Sequence, residues 1–128
     1  MNARSTITDY YESLRAGDPL DAYFADERTG DDPYVKFGIS ERLVGSDQIE
    51  TGLRSQTETT TDWEVTSHEL RVSEHDNHAW FTDTVSMAWT AIEAERRLAF
   101  ETRWSGTLEN RAAGWQFVGM HVSTADQL

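Results

Sequence analysis

The chain contains no cysteine. Disulfides, cysteine-ligated zinc, iron–sulfur clusters and thiol catalysis are therefore excluded. Proline occurs only twice. No apolar run approaches the roughly 18 residues of a membrane-spanning helix. The N-terminal stretch lacks the apolar core of a secretory signal, so a cytoplasmic location is expected. Positive charge is also scarce. Eleven Lys and Arg face 23 Asp and Glu, for a net charge of −12, and Lys36 is the only lysine. The acids are spread along the whole chain and leave no basic patch to meet phosphates. Nucleic acid and anionic membrane are accordingly not expected partners. A uniformly acidic, lysine-poor surface suits a cytoplasm of very high salt, where screening suppresses self-repulsion. A halophilic source is the expectation.

What is present is aromatic. Five Trp, five Phe and four Tyr supply bulky core material, which a disordered acidic segment would lack. At 128 residues the chain is long enough for one domain with a real core, residues 1–128. No repeat, linker or low-complexity segment divides it.

Helical signals come first. Ile7, Tyr10, Tyr11 and Leu14 recur at i, i+3, i+4 and i+7, with Thr6 as the expected N-cap and Gly17 as the stop. Asp18-Pro19 predicts a second short helix that turns Leu20, Tyr23 and Phe24 inward. Residues 25–33 read as an acidic turn, and 34–39 as a short strand. Ser46 is the expected cap of a third helix carrying Ile49 and Leu53. From Asp62 onward the texture is β. Strands are expected at 63–73, 78–91, 97–108 and 115–124, separated by turns around Asp76-Asn77, Glu93–Glu95 and Asn110–Gly114. Helices followed by a meander of long strands define an α+β protein.

Few residues stand out as chemistry. Asp83 is the sharpest. In Phe81-x-Asp83-x-Val85-x-Met87-x-Trp89 one strand face is apolar except for this carboxylate. Such a group must be paired, hydrogen-bonded or protonated, and could act as a general base or acid. A structural pairing with an arginine on the next strand is the alternative. His121 falls on the same strand face as Trp115, Phe117 and Ser123, where it could serve as a catalytic partner or as a satisfied core histidine. Tyr10, Tyr11, Tyr34 and Trp63 are candidates to line a cavity, as is Trp89. His75-x-x-His78 lacks the helical context of a metal site. With no phosphate loop, nucleophile elbow or metal-ligand spacing, neither metal nor cofactor is expected.

Leu43-Val44-Gly45-Ser46-Asp47, Glu101-Thr102-Arg103 and the terminal Trp115-x-Phe117-Val118-x-x-His121-Val122-Ser123 resemble the SnoaL-like proteins of the nuclear-transport-factor-2-like superfamily. The resemblance implies N-terminal helices packed on a strongly curved antiparallel or mixed sheet. This cone encloses an apolar pocket, and its outer sheet face often forms a homodimer. It also implies that Arg103 and His121 lie near the pocket, whereas periodicity turns Arg103 away from the apolar side. Three functions follow. The first is binding of a small hydrophobic or carbonyl-containing molecule. The second is an isomerase, hydratase or cyclase with Asp83 as base and His121 or Arg103 polarising a carbonyl. The third is a dimerisation or partner-binding module.

Overall fold

The computed structural model describes residues 2–28 and 31–126. Of the expected turn at 25–33, residues 29 and 30 lie outside that range. Helix α1 spans Ala3–Ala16 and buries Ile7, Tyr10, Tyr11 and Leu14, the stripe that the 3.6-residue period requires. Its cap is Asn2 rather than Thr6: Asn2 Oδ1 accepts from the Ser5 N–H at 2.8 Å. Thr6 is instead buried within the first turn. Gly17, at φ 75°, closes the helix in the left-handed conformation that glycine adopts without strain. The helix expected after Pro19 shortens to one 3₁₀ turn, Asp21–Tyr23. Leu20 and Phe24 are still buried on either side of it.

Seven strands follow: β1 Val35–Phe37, β2 Arg42–Val44, β3 Thr60–Ser67, β4 Arg71–Glu74, β5 His78–Ala91, β6 Arg96–Arg111 and β7 Gly114–Thr124, with α2 at Ser46–Thr59 between β2 and β3. They form one mixed, open sheet in the order β2-β1-β7-β6-β5-β3. The β1–β7 pairing is parallel and the others are antiparallel. The strand expected at 63–73 is broken in two. β3 and β4 share one edge of β5, opposite Ser67↔Val85 and Arg71↔Thr82 respectively. At the break the Glu69 N–H leaves the ladder to bond Asp83 Oδ1 at 3.0 Å. Helix α2 begins one residue earlier than expected. Gly45 is its N-cap, and the Asp32 carboxylate accepts from the Ser46 N–H at 2.6 Å. The Ser46 hydroxyl is buried without a partner among the described residues.

Helix α1 packs on β3, β4 and β7, and α2 on β1, β2 and β3. The inner sheet face supplies Phe81, Val85 and Met87 from β5, Trp104 and Leu108 from β6, and Phe117, Met120 and Val122 from β7. Tyr10 sits at the centre of an aromatic cluster. It meets Tyr23, Trp104 and Phe117 edge-on at 5.4, 6.1 and 5.3 Å. Such edge contacts add about 0.5–1.5 kcal/mol each to the burial of apolar area.

One irregularity re-aims the last strand. Leu108 faces Phe117 but Thr107 faces Gly119, so Val118 is the extra residue of a β-bulge. Phe117 and Met120 both point inward although three residues apart, and His121 turns outward. Strict alternation from Phe117 places His121 inside; the bulge reverses it. Gly106 lies beside this point. A Cβ there would come within 2.6 Å of the Gly119 carbonyl oxygen and 2.7 Å of Phe81.

Candidate functional site

A cavity of about 140 Å³ lies between α1, the β1–β2 hairpin and the inner face of the sheet. Its walls are aromatic and apolar: Tyr10 and Leu14 of α1, Met87 and Trp89 of β5, Trp104 of β6, Val122 of β7 and Trp63 of β3. Trp63 and Trp89 stack at 4.8 Å, with ring planes 19° apart. Thr60 Oγ1 fixes Trp63 by accepting from its indole N–H at 2.8 Å.

Within this wall sits the only lysine of the chain. On β1 the alternation of a strand sends Phe37 outward, 38% exposed, and Lys36 inward, 5% exposed. Lys36 Nζ pairs with Glu41, which arrives from the end of the tight β1–β2 connection. The Gly38 N–H donates to the Glu41 carbonyl at 2.9 Å and closes that turn. Gly38 also leaves room for the carboxylate, since a Cβ at this position would lie 2.8 Å from Glu41 Oε1. Among the described residues the ammonium has no other hydrogen-bond partner. A buried ammonium with two N–H groups unpartnered is costly, and it keeps capacity for an acceptor entering the cavity.

The Tyr10 hydroxyl adds a third polar group. It makes no hydrogen bond among the described residues, although its ring lines the cavity. Burial, and after it the Glu41 charge, pushes its pKa well above the ordinary value of 10.0. It is therefore a neutral donor at any physiological pH.

The residues singled out from the sequence divide between three places. Trp63 and Trp89 line the cavity. Asp83 faces inward, 4% exposed, but is not among the lining residues. Its carboxylate accepts from the Tyr11 hydroxyl at 2.9 Å, the Ser67 hydroxyl at 2.6 Å and the Glu69 N–H at 3.0 Å. No cation pairs with it among the described residues, so the arginine pairing considered above is not formed. Arg103 and His121 are both exposed on the opposite face of the sheet, in a groove shared with Arg71, Ser105 and Ser123. Periodicity placed Arg103 correctly. The expectation from resemblance that both residues adjoin the pocket does not hold. Tyr34 is buried away from the cavity, with the Arg111 guanidinium 5.9 Å above its ring. Lys36 and Glu41 were missed by motif reasoning. The signal was scarcity: one lysine in the whole chain, flanked by Val35 and Phe37. No group of three or more His, Asp or Glu among the described residues could hold a metal.

An α+β layer of two helices on a mixed sheet, with an aromatic cavity between them, defines a small cavity-bearing domain. The chain belongs to the SnoaL-like domain family, which matches residues 3–127. Solved structures agree in fold. A candidate dehydratase of the nuclear-transport-factor-2-like family from Streptomyces avermitilis superposes with a TM-score of 0.83 at 13% identity, over 98% of this chain and 95% of that one. A ketosteroid isomerase-like protein from Erwinia carotovora atroseptica gives 0.76 at 18% identity, over 98% and 95%. A nuclear-transport-factor-2-like superfamily protein from Salmonella enterica gives 0.77 at 15%, over 96% and 88%. No curated protein matches the chain. No helix among the described residues is long and apolar enough to cross a membrane.

Proposed function

We propose that this domain binds a small, planar, mostly apolar molecule bearing a carbonyl or hydroxyl oxygen. The observation that carries this reading is the Lys36–Glu41 pair inside an aromatic cavity, with the Tyr10 hydroxyl unpartnered beside it. Three tryptophans and a tyrosine suit a flat ring. A cavity of about 150 Å³ holds a molecule of benzene size. Lys36 and Tyr10 offer donors to the ligand oxygen, and Glu41 accepts a hydroxyl hydrogen if the ligand has one. The names of two structural neighbours, a candidate dehydratase and a ketosteroid isomerase-like protein, fit an oxygenated organic ligand.

The alternative is an isomerase, hydratase or cyclase acting on such a molecule. Geometry favours Glu41 over Asp83 as its base, because Glu41 lines the cavity while Asp83 is enclosed by three donors. The test is a tryptophan-fluorescence titration with benzyl alcohol, phenol and cyclohexane. The two oxygenated rings are expected to quench, and Lys36→Met to weaken them about tenfold, the value of one charge-assisted hydrogen bond. Equal binding of cyclohexane would remove the polar centre from the argument.

A further inference from the structure

We propose that Lys36 captures a small aromatic or conjugated aldehyde covalently, as an imine, with Glu41 as its proton shuttle. The proposal rests on the ligand site described above and adds bond formation to it.

Three features of the site make a nucleophilic amine of this lysine. It is buried beside the aromatic and apolar side chains of the cavity, so a ring packed against them brings its carbonyl to the amine with little water between. Its single partner is a carboxylate, the group needed to take and return protons. The Tyr10 hydroxyl is an unspent neutral donor on the same cavity, available to polarise a carbonyl oxygen. A lysine retained for solubility would be expected on the surface. Here ten arginines carry the remaining positive charge, and the one lysine is inside.

The step balances without any further reactant. Glu41 takes a proton from the Lys36 ammonium, freeing the nitrogen lone pair. Nitrogen adds to the aldehyde carbon, and the carbonyl π electrons move to oxygen. Proton transfers through Glu41 and a Tyr10 hydrogen bond give a neutral carbinolamine. Glu41 then returns a proton to the hydroxyl, which leaves as water while the C=N bond forms. The sum is aldehyde plus ammonium giving protonated imine plus water, with Glu41 ionised again beside the new positive charge.

Because Lys36 is the only lysine, the chain's α-amine is the one other primary amine, and it serves as an internal reference. The experiment is incubation with benzaldehyde and sodium cyanoborohydride, which reduces the imine to a stable benzylamine. Peptide mass mapping then locates the label. Benzyl alcohol, which cannot form an imine, measures cavity binding separately through tryptophan quenching, and confirms that each variant has folded. The expected result is one benzyl group on the Lys36 peptide, formed at least about tenfold faster than on the α-amine and suppressed by benzyl alcohol. Glu41→Gln is expected to slow labelling about a hundredfold, far beyond its roughly fivefold loss of benzyl alcohol affinity. Binding of benzyl alcohol without excess labelling of Lys36 overturns the imine and leaves the ligand site standing. Labelling that benzyl alcohol does not suppress also overturns it, because the amine then reacts outside the cavity. Glu41→Gln labelled as fast as the parent overturns the shuttle. Neither binding nor labelling overturns both readings.

Discussion

The Tyr11 hydroxyl donates to Asp83 Oδ2 at 2.9 Å, tying the middle of α1 to the middle of β5 through the interior. With Ser67 and Glu69 also donating, the carboxylate holds α1, β5 and the β3–β4 break together. Asp83→Ala leaves three donors unpaired and is expected to cost about 3 kcal/mol. Asp83→Asn keeps an acceptor for the Glu69 N–H, lets the two hydroxyls turn, and should cost nearer 1 kcal/mol. Urea unfolding measures both. An Asp83→Ala protein as stable as the parent would show that the donors find other partners.

Alkaline pH should unfold the protein through its buried phenols. Burial raises Tyr10 and Tyr11 above the ordinary 10.0, with Glu41 adding to the first and Asp83 to the second. Below pH 10 both phenols are protonated in the folded and unfolded chain, so they contribute no pH dependence. Above it the unfolded chain ionises while the folded one keeps its protons, and stability falls by about 1.4 kcal/mol per pH unit for each phenol. Tyr10→Phe and Tyr11→Phe should each remove one proton from that slope, read from unfolding free energies between pH 9 and the alkaline transition. Unchanged slopes in both would place their titration elsewhere.

Gly38 should matter for binding far more than for stability. Its φ is not in the left-handed region, so Ala is permitted by the backbone. The new Cβ would displace the Glu41 carboxylate. Gly38→Ala is expected to change stability by no more than about 0.5 kcal/mol, as for other peripheral substitutions. Affinity for benzyl alcohol should fall about fivefold with the loss of one acceptor. Thermal melts and fluorescence titration separate the two effects.

Two copies are expected to pair through the outer sheet face. Both helices pack on the inner side, leaving the outer groove of Arg103, His121 and Ser123 without cover among the described residues. Phe37 and Trp80 are large exposed apolar residues. Light scattering should give twice the chain mass of 14.6 kDa. Monomers across a wide concentration range would refute the pairing.

Much of the architecture was legible because long elements carry periodicity. The α1 stripe and the 14-residue β5 alternation each repeat often enough to be unambiguous. The same alternation correctly turned Asp83 inward. Short or irregular features were not legible. β2 has three residues and no room for a period. The Val118 bulge shifts the phase of β7 at a residue that looks like ordinary strand, and so reversed His121. Lys36 was hidden by its neighbours. Between Val35 and Phe37 a lone charge reads as the solvent side of a strand, and only the assembled sheet shows that its side is the interior.

The place of β7 in the sheet has a consequence for biosynthesis. It is the last of the seven described strands in chain order, yet it lies third in the sheet, with β1 on one side and β6 on the other. Until it leaves the ribosome, the β1–β2 hairpin has no strand to dock on, and two sheet edges remain open. Pairings between the first and last strands are also the slow, entropically demanding kind. Lys36 lies on β1, so the nascent chain acquires its lysine-bearing chamber only when synthesis of β7 is complete. A chain cut before residue 114 would lack the strand on which β1 docks, and with it the Val122 wall of the pocket.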